Sequence, residues 1–202
     1  MHPSAEANSR AYAEALVMRM ELLILTWDDL LRDVIQLARR LRGIELDAIV
    51  AIARGGLVVA RLLSDFIGVR RMASITISYY RGVGERGVKP VIVSEVGMDL
   101  RGLRVLLVDD VADTGQTLKV AIAHLKSRGV VRLVTCTAYV KPWCKFMPDY
   151  YSRMVDKWIV FPYEQAETAR ELMEKGFGLE QLAREGFSPL IISYVKECAP
   201  EG

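Results

Sequence analysis

The run from Val105 to Thr117, VLLVDDVADTGQT, constrains this chain more than any other feature. Its apolar start, within Leu103–Val108, reads as a buried strand that follows the Asp99–Gly102 turn. Asp109 and Asp110 then emerge at the carboxyl end of that strand, where open α/β sheets bind their ligands. A loop of small and hydroxyl residues follows, and it feeds a helix from about Gly115 to Arg128, closed by Gly129. Thr114, Gly115 and Thr117 can turn N–H groups and hydroxyls toward a phosphate, and the helix dipole favours the anion. Two carboxylates would repel that phosphate. They suit vicinal sugar hydroxyls or Mg²⁺ instead. The composite ligand expected is a sugar phosphate with metal.

The surrounding pattern fixes the fold class. Thr26 is an N-cap, with Asp28 and Asp29 in the first turn where carboxylates suit the dipole. Leu30, Leu31, Val34, Ile35, Leu37, Ala38 and Leu41 repeat at helical spacing up to Gly43. Asp47–Ala53 is a short buried strand, Leu57–Ile67 a helix stopped by Gly68, Met72–Tyr80 a β-branched strand and Val131–Val140 another strand. Arg81–Gly97 holds four Gly and one Pro, and reads as a long loop with a short strand at Val91–Val93. Apolar strands alternating with helices predict an α/β fold, a doubly wound and mainly parallel sheet flanked by helices. The domain organisation expected is an N-terminal extension over 1–24, a main domain over 25–162 and a helical appendage over 163–202. The extension reads as helical from about Glu6, and Met20 is a possible true start. The appendage reads as packing or oligomer surface, punctuated by Gly176, Gly178, Gly186 and Pro189.

Composition removes other classes of function. Lys plus Arg is 27 and Asp plus Glu is 25, a net charge of +2, so there is no basic face for bulk nucleic-acid binding. Three cysteines without C-x-x-C spacing suggest neither a disulfide framework nor a cysteine zinc site. No apolar run approaches a membrane span, and charges interrupt the first twenty residues where a signal peptide would be apolar. The expected setting is the cytoplasm.

The ordered block of strand, two acids, aliphatic residue and Asp113-Thr114-Gly115-Gln116-Thr117 resembles the phosphoribosyl-diphosphate (PRPP) motif of the type I phosphoribosyltransferases. Other segments resemble bacterial xanthine-guanine enzymes of that family. They are Thr26-Trp27-Asp28, Ile52-Ala53-Arg54-Gly55-Gly56-Leu57-Val58, Ile77-Ser78-Tyr79-Tyr80, Val140-Lys141-Pro142, and Trp158-Ile159 followed by Pro162. Together they span roughly Leu25 to Tyr163, and the helical extension beyond is similar to archaeal purine phosphoribosyltransferases.

The resemblance assigns roles. Ala112, Asp113, Thr114, Gly115, Gln116 and Thr117 would hold the 5′-phosphate, and Asp109 and Asp110 the ribose, with Asp110 also facing Mg²⁺. Ala53, Arg54, Gly55 and Gly56 match the pyrophosphate loop. Independently of the family, a cation and two glycines after a strand let backbone amides approach an anion. The family often has Ser before this Arg, where this chain has Ala53, and a non-proline cis peptide there. Lys141 would donate to the exocyclic O6 of a purine. An ammonium only donates, so it favours a carbonyl over the amino group of adenine. Trp158 would stack on the base, in preference to Trp143, and the backbone near Ile159 would read its edge. Asp113 would take a proton from purine N7. Tyr80, Arg81 and Lys89, with Arg86, would belong to a flexible lid over the diphosphate, while His124 reads as packing or surface.

The activity implied is transfer of 5-phosphoribosyl from PRPP to guanine, hypoxanthine or xanthine with Mg²⁺, by a homo-oligomer, dimer or tetramer. The alternatives are an adenine enzyme and a non-catalytic PRPP-sensing regulator.

Overall fold

The computed structural model describes residues 21–80 and 89–198. The helix expected from Glu6, the start at Met20, and Arg81 and Arg86 lie outside these residues. The chain divides into two compact units, Leu31–Asp156 and a discontinuous one formed by Met1–Leu30 with Lys157–Gly202.

The larger unit holds a six-stranded sheet. Its strands are β2 (Ala48–Ala53), β3 (Met72–Tyr80), β4 (Lys89–Ser94), β5 (Arg104–Ala112), β6 (Arg132–Val140) and β7 (Tyr150–Met154). Their order is β4-β3-β2-β5-β6-β7, and every pair is parallel except β3–β4. The doubly wound, mainly parallel sheet is therefore as expected. Two helices, α2 (Gly56–Ile67) and α3 (Gln116–Ser127), follow β2 and β5 and carry the chain back across the sheet. Leu118, Ala121 and Leu125 of α3 pack on Val50, Ile52, Val105 and Leu107 of the two central strands. The central strands are buried on both faces, which is why their sequences are apolar runs and not alternating patterns.

Three details differ from the sequence expectation. First, β5 does not stop at Val108; it continues through both acids to Ala112, because Asp109, Val111 and Ala112 stay in register with Thr137, Tyr139 and Val140 of β6. Second, the segment at Val91–Val93 is part of a longer strand, Lys89–Ser94, antiparallel to β3. Third, β7 has no counterpart in the sequence reading. Its YYSRM sequence is a mixed edge strand with no apolar run. Side-chain bonds made at a distance secure it. Ser152 Oγ donates to Asp33 Oδ1 at 3.1 Å, and Arg153 pairs with Asp33 at 2.8 Å. The same buried Asp33 accepts from Tyr139 Oη on β6 at 2.5 Å.

The helix α1 (Trp27–Arg40) starts as the capping residues require. Asp29 N–H donates to Thr26 Oγ1 at 3.1 Å, and Thr26 N–H donates to Asp29 Oδ2 at 3.1 Å, a reciprocal capping box.

The smaller unit joins residues from both sides of the expected boundaries at 24/25 and 162/163. Strand β1 (Leu22–Ile24) pairs in parallel with β8 (Trp158–Val160), so residues expected to form an extension join the C-terminal part. Helices α4 (Gln165–Glu174), α5 (Leu179–Glu185) and α6 (Pro189–Glu197) follow. Their apolar positions close on Val160 and each other, with Leu172, Phe177, Leu182, Phe187 and Val195 buried. Most of the tail's apolar stripe is thus internal packing, although Leu190 stays exposed. Buried Gln165 ties the unit together. Its Nε2 donates to Leu25 O at 3.1 Å, and its Oε1 accepts from Ser188 N–H at 3.0 Å. Among the described residues no helix is long and apolar enough to cross a membrane.

Candidate active site

The carboxyl ends of β2 and β5 lie side by side, and glycine lets them touch. The Ala53–Arg54 peptide is cis, and α2 begins two residues later. A Cβ on Gly55 would fall 1.6 Å from Asp110 Oδ2. On Gly56 it would fall 2.7 Å from the carbonyl oxygen of Val108. Neither position accepts a side chain without displacing an acid or the strand that carries it. The turn 53–56 and the acids 109–110 are therefore one packed unit, although more than fifty residues separate them in sequence.

Asp109 points inward and is buried. Its Oδ1 accepts the Asp110 N–H at 3.0 Å, and Asp110 Oδ1 accepts the Val111 N–H at 2.8 Å. Burial first, and then the negative charge of Asp110, push the Asp109 carboxyl well above the usual carboxylate range. Asp110 is partly exposed and faces a cleft of about 390 Å³.

That cleft gathers most of the residues named from the sequence. Ala53, Arg54 and Gly55 line one side, Asp109 and Asp110 the floor, and Ala112, Asp113, Thr114, Gly115 and Thr117 the rest. Gly56 and Gln116 are not in its lining. Gly115 sits at φ +79°, a left-handed conformation that suits glycine. A Cβ there would also lie 2.6 Å from Phe146 O. The helix α3 starts directly after it without a side-chain cap from Gly115, and Thr117 and Leu118 of its first turn line the cleft. Tyr79 lines the opposite wall, with its Oη 3.1 Å from Thr117 Oγ1.

Beyond Asp113 the loop after β6 comes close. Lys141 is only 8% exposed, and its N–H donates to Ala112 O at 3.0 Å. Burial lowers its pKa below the ordinary lysine value, against the opposing charges of Asp113 and Asp156. Its Nζ stands 5.6 Å from the centre of the Trp143 ring. The indole Nε1–H of Trp143 donates to Asp113 Oδ1 at 2.6 Å. The sequence reading passed over Trp143 in favour of Trp158. The available signal was its place two residues after Lys141, in a Lys-Pro-Trp run closing a sheet strand.

Other named residues are not in the cleft's lining. Trp158 and Ile159 belong to β8 in the smaller unit, where Trp158 is 54% exposed and Ile159 is buried. The Trp158 N–H is already committed to Glu21 O at 3.0 Å. Tyr80 and Lys89 are a registered pair at the ends of β3 and β4, so ladder pairing and not a free loop holds their backbones. The His124 ring sits on α3, with a buried Nε2 that has no hydrogen-bond partner.

Comparison with known proteins identifies the family. The family model of the phosphoribosyl transferase domain matches residues 24–167. Xanthine-guanine phosphoribosyltransferase of Chromohalobacter salexigens is 35% identical over 141 residues, covering 69% of this chain and 82% of that protein. The enzyme of the same name from Gluconobacter oxydans is 33% identical over 145 residues, covering 70% and 83%. The crystal structure of purine phosphoribosyltransferase from Pyrococcus horikoshii superposes with a TM-score of 0.66 at 40% identity, covering 71% of this chain and 94% of that one. With a mainly parallel sheet and a family-model match over most of its length, this chain belongs to the phosphoribosyl transferase family.

Proposed function

We propose that the protein transfers the 5-phosphoribosyl group of PRPP to a 6-oxopurine, giving a nucleoside 5′-monophosphate and pyrophosphate. The observation that carries this reading is the single cleft in which the Arg54-Gly55 turn, the Asp109–Asp110 pair and the 113–117 loop converge. Two of its relatives are named for xanthine and guanine, which supports the 6-oxopurine class.

Each part has a distinct task in this reading. The amides at the start of α3, with Thr114 and Thr117, hold the 5′-phosphate. Asp109 and Asp110 orient the ribose hydroxyls. Arg54 and the glycine turn receive the diphosphate as negative charge develops on it. Lys141 donates to O6, and Trp158 offers an exposed face for stacking on the base, with the Ile159 backbone beside it in sequence. Asp113, with Oδ1 held by Trp143, takes the N7 proton on Oδ2 as the glycosidic bond forms.

The donors fit Mg²⁺. Among the described residues no three His, Cys, Asp or Glu side chains cluster to cage a metal, yet hard carboxylate oxygens reach the cleft at Asp110. Mg²⁺ favours one or two carboxylates completed by water and substrate phosphates. Bound there with PRPP, it would supply charge neutralisation for the leaving diphosphate. The same reading places the protein in the cytoplasm as a homo-oligomer, dimer or tetramer.

Pyrophosphate release tests the proposal. It is expected only when PRPP, Mg²⁺ and a 6-oxopurine are present together. PRPP binding without release under any of these conditions would instead assign a sensor.

A further inference from the structure

The loop after β6 carries more than Lys141. We infer that Trp143 is a positioning residue that holds the Asp113 carboxylate and the Lys141 ammonium in one arrangement on the purine side of the site. This rests on the reading of Asp113 as proton acceptor and Lys141 as O6 donor.

Three observations converge on the indole. Its Nε1–H donates to Asp113 Oδ1 at 2.6 Å, and an indole has that one donor and no acceptor. Its face meets Lys141 Nζ at 5.6 Å from the ring centre, within cation–π reach. The ring is also 52% exposed, so core filling is not what the site gains from it.

The backbone beneath the ring is built, not loose. Lys141 N–H donates to Ala112 O at 3.0 Å, Cys144 N–H to Lys141 O at 2.9 Å, and Lys145 N–H to Thr114 O at 3.3 Å. Phe146 closes against Gly115 so tightly that no Cβ fits between them. The indole thus projects from a loop tied to the residues on either side of Asp113. An ammonium and a carboxylate in one small site attract each other, and a direct pair would occupy the donor and acceptor that the base needs. Trp143 gives the carboxylate a neutral donor and the ammonium a neutral face. Oδ2 of Asp113 then stays available for the N7 proton.

Substitution separates the two halves of the ring's role. Trp143→Phe keeps a face for Lys141 and removes the N–H. It is expected to lower kcat about tenfold, the loss of one hydrogen bond to a charged group, with KM for PRPP and the preference for hypoxanthine over adenine unchanged. Trp143→Leu removes the face as well, and that preference is expected to fall too. In an Asp113→Ala background Trp143→Phe should cost nothing further, because the carboxylate it positions is gone. A Phe variant with full kcat would overturn the inference, and so would the same tenfold loss recurring in the Asp113→Ala background. Full kcat in Asp113→Ala alone would remove the proton-acceptor reading, and with it the inference. That result is distinct, because it appears with Trp143 intact.

Discussion

The two sides of the site are made from different material. The side that we propose takes the phosphates, Arg54–Gly56 with Asp109–Thr117, is shaped by backbone: a glycine turn packed on an acid, and a glycine at positive φ before a helix start. The side that we propose takes the purine is built from side chains: a Lys and a Trp on one loop, meeting an Asp from another. Backbone donors neither titrate nor adopt other rotamers, so in this proposal a constant phosphate group meets fixed partners. Side chains can be exchanged singly, so in this proposal the purine side is where the choice of base can change.

The comparison can be broken at Asp113, which belongs to both sides. Asp113→Asn is expected to lower kcat by about 10²–10⁴-fold, the range of general acid–base catalysis, with PRPP binding retained in a direct titration. A variant with full kcat would remove the carboxylate from the chemistry. Next in size is Gly55→Ala. Its Cβ cannot coexist with Asp110 Oδ2, so the acid must move. A misplacement of that order costs about 100-fold in kcat/KM for PRPP, measurable by steady-state kinetics with no change of base preference. A change of preference would show that the two sides are not separable.

Lys141→Ala should do the reverse. It is expected to leave PRPP kinetics intact and to lose about 1–3 kcal/mol of discrimination between hypoxanthine and adenine in relative kcat/KM. The smallest effect is one of pH. Burial lowers the Lys141 pKa, so its ammonium loses its proton before an exposed lysine would. The hypoxanthine preference of the unmodified protein should decline as pH rises toward the ordinary lysine range, about 10, while Lys141→Ala shows no such slope. Comparable slopes in both would place the titration elsewhere.

The sequence was legible where structure is local. The capping residues of α1, the helix stop at Gly68, and the apolar runs of β2 and β5 each follow from a few neighbouring residues. Much of the cleft's lining was legible for the same reason, since one thirteen-residue block supplies it. What stayed hidden depends on distance. Strand β7 is held by Asp33, more than a hundred residues away, and β1 exists only because β8 accepts it. Trp143 reaches Asp113 across thirty residues, and its nearness to Lys141 in sequence does not by itself specify that bond. The strand is expected to end at Val108 because carboxylates disfavour strands, whereas the ladder to β6 carries it on through Asp109 to Ala112.

The most direct test of the whole account is a spectrophotometric comparison of guanine, hypoxanthine, xanthine and adenine, each with PRPP and Mg²⁺. The account predicts conversion of one or more of the three 6-oxopurines to its 5′-monophosphate, with adenine disfavoured by roughly tenfold or more in kcat/KM, as a donor-only Lys141 requires. Turnover of adenine alone, or of no base at all, would contradict it.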